Sequence, residues 1–297
     1  MKCKDVINFY TAEIREELAR LFNSPEYRGV IFKNEVEELA GLMDTSEEQL
    51  MQELLNVVKQ YAIFPISNFQ VGAVVRGESG TFYFGANQEF LGETLTFTLH
   101  AEQAAIANAV THDEKGITAI ACTYVPCCLC RQFMYELDGA EKLKIILPDK
   151  VYSLLDIVPH PFGPSDLGVN MRLMQKMDNG LLKNEMNYSN DRIVLEALSA
   201  ANKSYSPYSR SYSGVALLTK DERIFTGRYV ENAAFNISMN PMMAALSNLN
   251  MSNLNFKDIS RAIIVESRNN IVSQIKSAGN LLCVVNSDVD LEIIKVD

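Results

Sequence analysis

The sequence lacks three features, and each absence argues against a class of protein. No apolar run approaches the ~20 residues that a membrane-spanning helix requires. The segment Met1–Asp5 reaches an acidic residue too early for a signal peptide, so we expect a cytoplasmic protein. Basic residues are in deficit, 27 against 37 acidic ones, and the resulting net charge of −10 repels phosphate backbones. The sequence therefore predicts neither a membrane nor a nucleic acid as a partner.

Cysteine is scarce, and its few occurrences are clustered. Three of the six cysteines, Cys127, Cys128 and Cys130, lie within four consecutive residues. A disulfide framework is not expected in a large intracellular chain, and such a cluster indicates a metal or redox site instead. With 297 residues and 47% hydrophobic content, the chain is long enough for one large or two modest globular domains.

Hydrophobic periodicity predicts the order of the secondary-structure elements. Helical patterns fill the first 48 residues, and Thr45 with Glu48 forms a capping-box pattern before a further helix. The patterns that follow are a hairpin over 70–85, a helix over 100–110, a strand over 117–125, a helix from Pro126 and a strand over 144–147. This β-β-α-β-α-β order predicts an α/β fold in which helices pack on both faces of a sheet, a three-layer α-β-α sandwich.

The second half of the chain repeats the first at an offset of 142 residues. Matching positions are Pro65 and Pro207, Ser67 and Ser209, Gly72 and Gly214, Gly85 and Gly227, and Glu89 and Glu231. We infer an internal duplication, so that the sandwich occurs twice. The predicted divisions are an N-terminal helical segment 1–48, a first repeat 49–150, a proline-containing linker 151–187 and a second repeat 188–297.

The duplication provides an internal control for function. Residues that fold the sheet should occur in both copies, whereas residues that react should occur in one. His100 becomes Asn240 in the second copy, Glu102 becomes Met242, and no Cys-x-x-Cys follows the later strand. The residues found once, and therefore the functional candidates, are His100, Glu102, Cys127 and Cys130.

These four residues predict a catalytic zinc site. Two thiolates and an imidazole favour zinc among the common cytosolic divalent ions. Three protein ligands, His100, Cys127 and Cys130, leave a fourth position for a water molecule, whose pKa zinc lowers towards ~7. Glu102 can then carry protons between that water and a substrate nitrogen. The constellation is typical of hydrolysis at an sp² carbon, although a Cys-x-x-Cys by itself is also compatible with a redox or structural role.

The same residues carry a family resemblance. His100-Ala101-Glu102 with Pro126-Cys127-Cys128-Leu129-Cys130 resembles the H-x-E…P-C-x-x-C signature of zinc nucleobase deaminases. Further segments are similar to cytidine deaminases of the long, two-repeat, homodimeric type, and the similarity spans nearly the whole chain. These segments are 67–73, 85–90, 100–103, 130–134, 161–164 and 231–235.

The resemblance implies an enzyme, a hydrolase that converts cytidine and 2′-deoxycytidine to uridine and 2′-deoxyuridine with release of ammonia, in pyrimidine salvage. It implies one Zn²⁺ per subunit, a catalytic first repeat with Glu102 as the proton shuttle, and an inactive second repeat. Asn87 and Glu89 would bind the ribose hydroxyls, Gln88 would lie between them, and Phe69 would stack on the pyrimidine. The pocket of the homodimer would be shared between the subunits, with Ala234 and Phe235 of the partner subunit closing it.

Two alternatives remain open at this point. The first is a deaminase of another aminated base or of a nucleotide, which would use the same zinc chemistry. The second belongs to a different class, a zinc-stabilised scaffold without catalysis. It would have a closed metal site and would unfold when the metal is chelated.

Overall fold

The computed structural model describes residues 2–183 and 190–297, and their secondary structure confirms the α/β class. The helices are α1 (Lys4–Ile7), α2 (Ala12–Asn23), α3 (Lys33–Leu42), α4 (Glu47–Val58), α5 (Ala101–Thr111), α6 (Cys128–Met134), α7 (Leu154–Ile157), α8 (Arg192–Asn202), α9 (Pro241–Met251) and α10 (Ile275–Val285). The strands are β1 (Val30–Ile31), β2 (Gly72–Gly77), β3 (Phe82–Ala86), β4 (Ile117–Cys122), β5 (Lys144–Ile146), β6 (Val151–Ser153), β7 (Ser213–Thr219), β8 (Ile224–Arg228), β9 (Ile259–Ser267) and β10 (Leu291–Val296). The predicted boundary between residues 187 and 188 lies outside the described residues. None of the described helices combines the length and the apolar character needed to cross a bilayer.

The strands form two sheets with the same internal arrangement. The first sheet has the order β1-β3-β2-β4-β5-β6, and the second has the order β8-β7-β9-β10. In each sheet the first two strands of the repeat form an antiparallel hairpin, and the third strand pairs antiparallel to the hairpin. The fourth strand then pairs parallel to the third in both sheets. The predicted duplication is therefore present in the topology.

Irregular backbone features also recur at the predicted offset. The pairing register shifts between Arg76 and Gly77 in the first sheet and between Leu218 and Thr219 in the second. Asn68 has a φ of 55° and Arg210 has a φ of 54°, a left-handed conformation that few non-glycine residues adopt. The two repeats thus have the same register shift and the same left-handed residue at matching positions, so their backbones follow the same path there.

A glycine at the end of each hairpin lets a helix approach the sheet closely. A Cβ atom at Gly85 would lie 2.1 Å from the backbone nitrogen of Ala105 in α5. A Cβ atom at Gly227 would lie 2.6 Å from the backbone nitrogen of Ala245 in α9. Both positions therefore require glycine for the same helix-on-sheet contact.

The core lies in layers, and the central layer is shared by both repeats. Strand residues alternate between faces, so Val74 packs with the N-terminal helices while Val75 packs with α5 on the opposite face. The hydrophobic cluster that contains Val75 and α5 also includes residues of α9 and Val215 of the second sheet. Ala216 of the second sheet faces α8 on the outside. Helices α5 and α9 are almost entirely buried, which explains why apolar and small residues predominate in both sequences.

The ends of the first sheet differ from the sequence prediction. Segment 1–48 contains the predicted helices, but it also supplies β1, which pairs antiparallel with β3. Segment 151–187, predicted as a linker, begins with β6, which pairs antiparallel with β5 at the sheet edge. Strands of two and three residues are too short to give a periodic signal. The capping box before α4 is formed by Ser46 and Gln49, one residue later than predicted, and Glu48 accepts a hydrogen bond from Lys144.

Candidate active site

Two helix N-termini meet beside the first sheet and carry the candidate metal ligands. His100 is the N-cap residue of α5, and Cys127 is the N-cap residue of α6. The Cys127 sulfur accepts a hydrogen bond from the backbone nitrogen of Cys130, at 3.4 Å. The positive end of a helix dipole favours anionic ligands, so this position stabilises thiolates.

The side chains of His100, Cys127 and Cys130 form a compact group. The Nδ1 atom of His100 lies 3.4 Å from the sulfur of Cys127 and 3.2 Å from the sulfur of Cys130, and the two sulfurs are 3.5 Å apart. Around one zinc ion, with Zn–S of ~2.3 Å and Zn–N of ~2.0 Å, tetrahedral ligand atoms lie about 3.5–3.8 Å apart. The donor set and its spacing fit zinc. Cys128 is exposed and does not belong to this group.

A hydrogen bond between the two sulfurs shifts their pKa values in opposite directions. A hydrogen bond from the Cys130 thiol, with a further contribution from His100, holds the pKa of the Cys127 thiol well below its usual range. The same hydrogen bond, together with burial, raises the pKa of Cys130. Metal binding requires thiolates, so zinc binding would release the proton of any thiol in this pair that still carries one.

Glu102 lies in the first turn of α5, next to the metal group. Its side chain is buried, and burial raises the pKa of the carboxyl above its usual value because the charged form loses solvation. A raised pKa suits a carboxyl that both accepts and donates a proton during a reaction.

A cavity of about 260 Å³ opens next to this group. At one end it is lined by His100, Glu102 and Cys127. Its other lining residues are Ser67, Phe69, Val71, Asn87, Glu89, Thr98, Ala101, Tyr124 and Val125. The structure thus brings the metal group, the candidate acid–base residue and most of the predicted substrate-binding residues to one cavity.

Asn87 and Glu89 shape the cavity as well as line it. The Asn87 side chain donates to the carbonyl oxygen of Phe69 at 2.9 Å and accepts from the backbone nitrogen of Val71 at 2.8 Å. Glu89 Oε2 accepts from the backbone nitrogens of Ile66 and Ser67, at 2.8 and 3.0 Å. Burial raises the pKa of Glu89, but hydrogen bonds from the Ser67 side chain and from these backbone groups outweigh burial and leave the pKa below its usual value.

The second repeat shows that the hydrogen bonds between Glu89 and its neighbouring turn are structural. Glu231 accepts from the backbone nitrogens of Tyr208 and Ser209, as Glu89 does from the matching turn. This carboxylate therefore holds a turn in both copies. Of the two glutamates, only Glu89 lines the cavity beside the metal group.

Gln88 is the predicted substrate-binding residue that the structure does not bring to the cavity. Its side chain is fully buried and is not among the residues that line the cavity. Successive residues of an extended segment point to opposite sides, so Gln88 faces away when Asn87 and Glu89 face the cavity. Neither polar atom of its amide has a hydrogen-bond partner among the described residues.

Tyr124 is a cavity residue that the sequence analysis missed. Its ring lies 4.6 Å from the ring of Phe69, measured between centroids, at an interplanar angle of 32°. The two rings together form an aromatic wall. The position of Tyr124 in the sequence, between the end of β4 and the Cys-x-x-Cys helix, is the signal that could have identified this residue.

Comparison with known proteins gives the family. Residues 44–146 match a family model described as the cytidine and deoxycytidylate deaminase zinc-binding region, and residues 154–279 match a second model with the same description. The chain belongs to this deaminase family. It is 38% identical to a cytidine deaminase of Photobacterium profundum, over 98% of this chain and 97% of that protein. It is 41% identical to a cytidine deaminase of Proteus mirabilis, over 88% of each chain.

A solved structure of cytidine deaminase from Mycobacterium tuberculosis is 29% identical to this chain. The match covers 39% of this chain and 96% of that chain, with a TM-score of 0.36. Membership of a zinc-binding deaminase family and the geometry of the His100–Cys127–Cys130 group agree, and the predicted zinc is confirmed as the cofactor.

The second deaminase repeat replaces the metal group with neutral hydrogen-bonding residues. Asn240, which matches His100, donates to Gln274 Oε1 at 3.0 Å and to Ser277 Oγ at 2.7 Å. Gln274 and Ser277 have the same spacing as Cys127 and Cys130, and they lie at the start of α10 as the cysteines lie at the start of α6. Hydrogen bonds thus join the helices that a metal ion would join in the first repeat.

Proposed function

We propose that the protein hydrolyses cytidine and 2′-deoxycytidine to uridine and 2′-deoxyuridine, with release of ammonia. The observation that carries this proposal is the single cavity, which has metal ligands and a buried carboxyl at one end and aromatic and polar side chains at the other. The family relationship supports the same reaction class, because the relatives compared above are cytidine deaminases.

The cavity suits a nucleoside in one orientation. The Phe69 ring, with Tyr124 beside it, offers a face for the flat pyrimidine. Asn87 and Glu89 then bind the ribose hydroxyls. A carboxylate next to the sugar disfavours a phosphate at that position, so the nucleoside is preferred over its nucleotides. In this orientation the amino group of the base faces Glu102.

The protein's own residues handle the protons of the reaction. His100, Cys127 and Cys130 hold zinc, which when bound acts as a Lewis acid and lowers the pKa of a coordinated water. Glu102 accepts a proton from the attacking water and delivers it to N3 of the pyrimidine. Glu102 then accepts the remaining proton of the attacking oxygen and transfers it to the leaving amino group at C4, which departs as ammonia while the oxygen becomes the C4 carbonyl. Burial shields Glu102 from bulk water and raises the pKa of its carboxyl, which favours the delivery of a proton.

The test is the ultraviolet difference spectrum on mixing the purified protein with cytidine, with a chelator-treated sample alongside. We expect the cytidine spectrum to convert to that of uridine with release of one ammonia per nucleoside, and we expect chelation to stop the conversion. Conversion of cytosine or cytidine monophosphate in place of cytidine would favour the alternative substrates. No conversion by zinc-loaded protein would favour the scaffold.

Phe69→Ser places at this position the residue that Ser211 provides in the second repeat. Loss of the stacking surface is expected to raise KM for cytidine about tenfold, with a smaller effect on kcat. Steady-state kinetics checks this expectation. Phe9→Ser removes a ring that is 90% exposed in the N-terminal segment and serves as the matched control. An unchanged KM in Phe69→Ser would contradict the stacking role.

We also propose a homodimer in which the substrate pocket is shared between subunits. Four exposed apolar side chains lie at or near the metal group: Val125 lines the cavity, and Leu95, Leu129 and Phe235 line a second pocket that His100 also lines. Phe235 is 64% exposed, which is unusual for a large apolar side chain unless another surface covers it. Phe235 of the partner subunit would then close the pocket.

For the homodimer we expect a mass of about twice 33.2 kDa by analytical ultracentrifugation. Phe235→Glu is expected to produce monomers and to lower kcat/KM for cytidine about 100-fold, since it removes an anchor of the interface and one wall of the pocket. Ile293→Glu, an exposed position on β10, is the control. A fully active monomer would contradict the shared pocket.

We also propose how the chain is divided into domains. The division is 1–48 as a helical segment, 49–150 as the catalytic domain, 151–187 as a linker and 188–297 as a non-catalytic repeat. The Asn240–Gln274–Ser277 group supports the absence of catalysis in the second repeat, and limited proteolysis with activity assays tests the division.

Six free cysteines support a reducing cytoplasmic location, which fractionation would test. We place the reaction in pyrimidine salvage, which growth of a deletion strain on cytidine as the pyrimidine source would test.

A further inference from the structure

The helix that carries Cys130 is too short to keep its own position. Helix α6 has seven residues, and isolated helices below about 12 residues are marginal in water. A metal ligand in its first turn is therefore positioned by the contacts of the helix with the rest of the protein.

Contacts within the first repeat and its following segment hold the beginning of α6. The Arg131 side chain donates from Nε to the carbonyl oxygen of Pro126 at 2.7 Å. It also donates from Nη1 to the carbonyl oxygen of Ile157 at 3.0 Å. The side chains of Phe133 and Met134, in the last turn of the helix, are fully buried.

The other end of α6 is held by the second repeat. Glu136, two residues after the helix, is fully buried. Its Oε1 atom accepts from the hydroxyls of Tyr205 and Tyr208, at 2.7 and 2.5 Å, and its Oε2 atom accepts from the backbone nitrogen of Ala233 at 3.0 Å. All three donors belong to the second repeat.

A second contact joins the same two parts of the molecule. Asn232 Nδ2 donates to the carbonyl oxygen of Gln132 at 3.2 Å, and Gln132 Nε2 donates to Asn232 Oδ1 at 3.4 Å. Asn232 and Ala233 are adjacent in the turn after β8, so this turn contacts α6 and the residues just after it.

The two tyrosine hydroxyls that donate to Glu136 have no counterpart in the first repeat. At the offset of 142 residues, Tyr205 matches Ile63 and Tyr208 matches Ile66. The tyrosine hydroxyls therefore do not belong to the shared scaffold, because the first repeat folds the same segment with isoleucine. Residues found only in the second repeat serve the first repeat at this point.

We propose that Glu136 is a positioning residue for the zinc ligand Cys130, and that the second repeat fixes it through Tyr205 and Tyr208. The inference rests on the proposed function in one respect, the role of Cys130 as a zinc ligand. Removing both hydroxyls leaves a buried carboxylate with one donor, and such a group is costly. The segment after α6 then shifts towards water, and α6 moves with it.

The test compares the wild type with Tyr205→Phe/Tyr208→Phe, which keeps both rings and removes both hydroxyls. Zinc release is followed with a chromogenic chelator, and kcat and KM are measured separately. We expect zinc release about tenfold faster, the lower end of the effect for residues that orient metal ligands, and kcat lowered by a similar factor with little change in KM. Adding Glu136→Gln to the double variant removes the buried charge and is expected to restore slow zinc release in part.

Glu266→Gln is the matched control. Glu266 is also fully buried and accepts from Ser273, Gln274 and Lys295, but it lies in the second repeat. This variant is expected to lose thermal stability without faster zinc release. Because the double variant can fail to fold, Tyr205→Phe and Tyr208→Phe are also measured singly.

The outcomes separate the two proposals. A lower melting temperature with unchanged zinc release and unchanged kcat in the tyrosine variants would overturn the positioning role and leave a purely structural contact. A wild-type protein that binds zinc elsewhere than at Cys130 would overturn the proposed function itself. Faster zinc release in Glu266→Gln as well would attribute the effect to general loss of stability, and would also overturn the positioning role.

Discussion

Glu102→Gln is expected to lower kcat for cytidine roughly 10³-fold while zinc stays bound, a loss within the usual range for removal of an acid–base residue. The amide has nearly the same shape as the carboxyl, so the buried site at the start of α5 keeps its packing. It cannot accept the proton of the attacking water or deliver one to N3. The loss is therefore in the chemical step, and KM should change much less than kcat.

Single-turnover absorbance together with zinc analysis of the same sample checks this expectation. The second repeat offers a matched control, because Met242 occupies the position of Glu102 on an equally buried helix. Met242→Leu conserves volume and is expected to leave turnover unchanged. Wild-type kcat in Glu102→Gln would contradict the mechanism, and loss of zinc from that variant would show that Glu102 supports the metal group.

The triple variant His100→Asn/Cys127→Gln/Cys130→Ser is expected to lose zinc and all measurable turnover but to keep its fold. It installs in the first repeat the residues that join α9 and α10 in the second, where Asn240 donates to Gln274 and Ser277. The protein thus already contains a metal-free version of this junction. We expect zinc content to fall from one per subunit to none and the melting temperature to fall by only a few degrees.

Elemental analysis, circular dichroism and the cytidine assay together check the triple variant. The chelated wild type is the appropriate comparison, since it retains the thiols but lacks the metal. If the triple variant unfolds while the single variant Cys128→Ser is unaffected, zinc is a structural requirement of the first repeat. That result would favour the scaffold alternative over catalysis.

The sequence predicted the parts of the site that depend on residue identity. The comparison between copies isolated His100, Glu102, Cys127 and Cys130, and the structure places all four together. Two copies of one backbone separate residues that both copies retain from residues that one copy alone carries. Glu89 does not stand out in this comparison, because Glu231 retains the hydrogen bonds to the matching turn.

Features that depend on three-dimensional placement could not be predicted. Gln88 shares a segment with Asn87 and Glu89, but the alternation of an extended chain turns it away from the cavity. The strands β1 and β6 are too short for a periodic pattern, and their pairing is decided by the edges of the sheet that they extend. The contact of Glu136 with the second repeat joins residues distant in sequence, and no local pattern marks it.

The shared layer of α5 and α9 means that the two repeats have one core between them. Val75 and Val215, from different sheets, belong to the same buried cluster. Cutting the chain between the repeats would expose part of that cluster on both halves, so we expect each half to be less stable alone than in the whole chain. Each repeat thus depends on the other for part of its buried surface, and we expect the two copies to unfold in one cooperative transition.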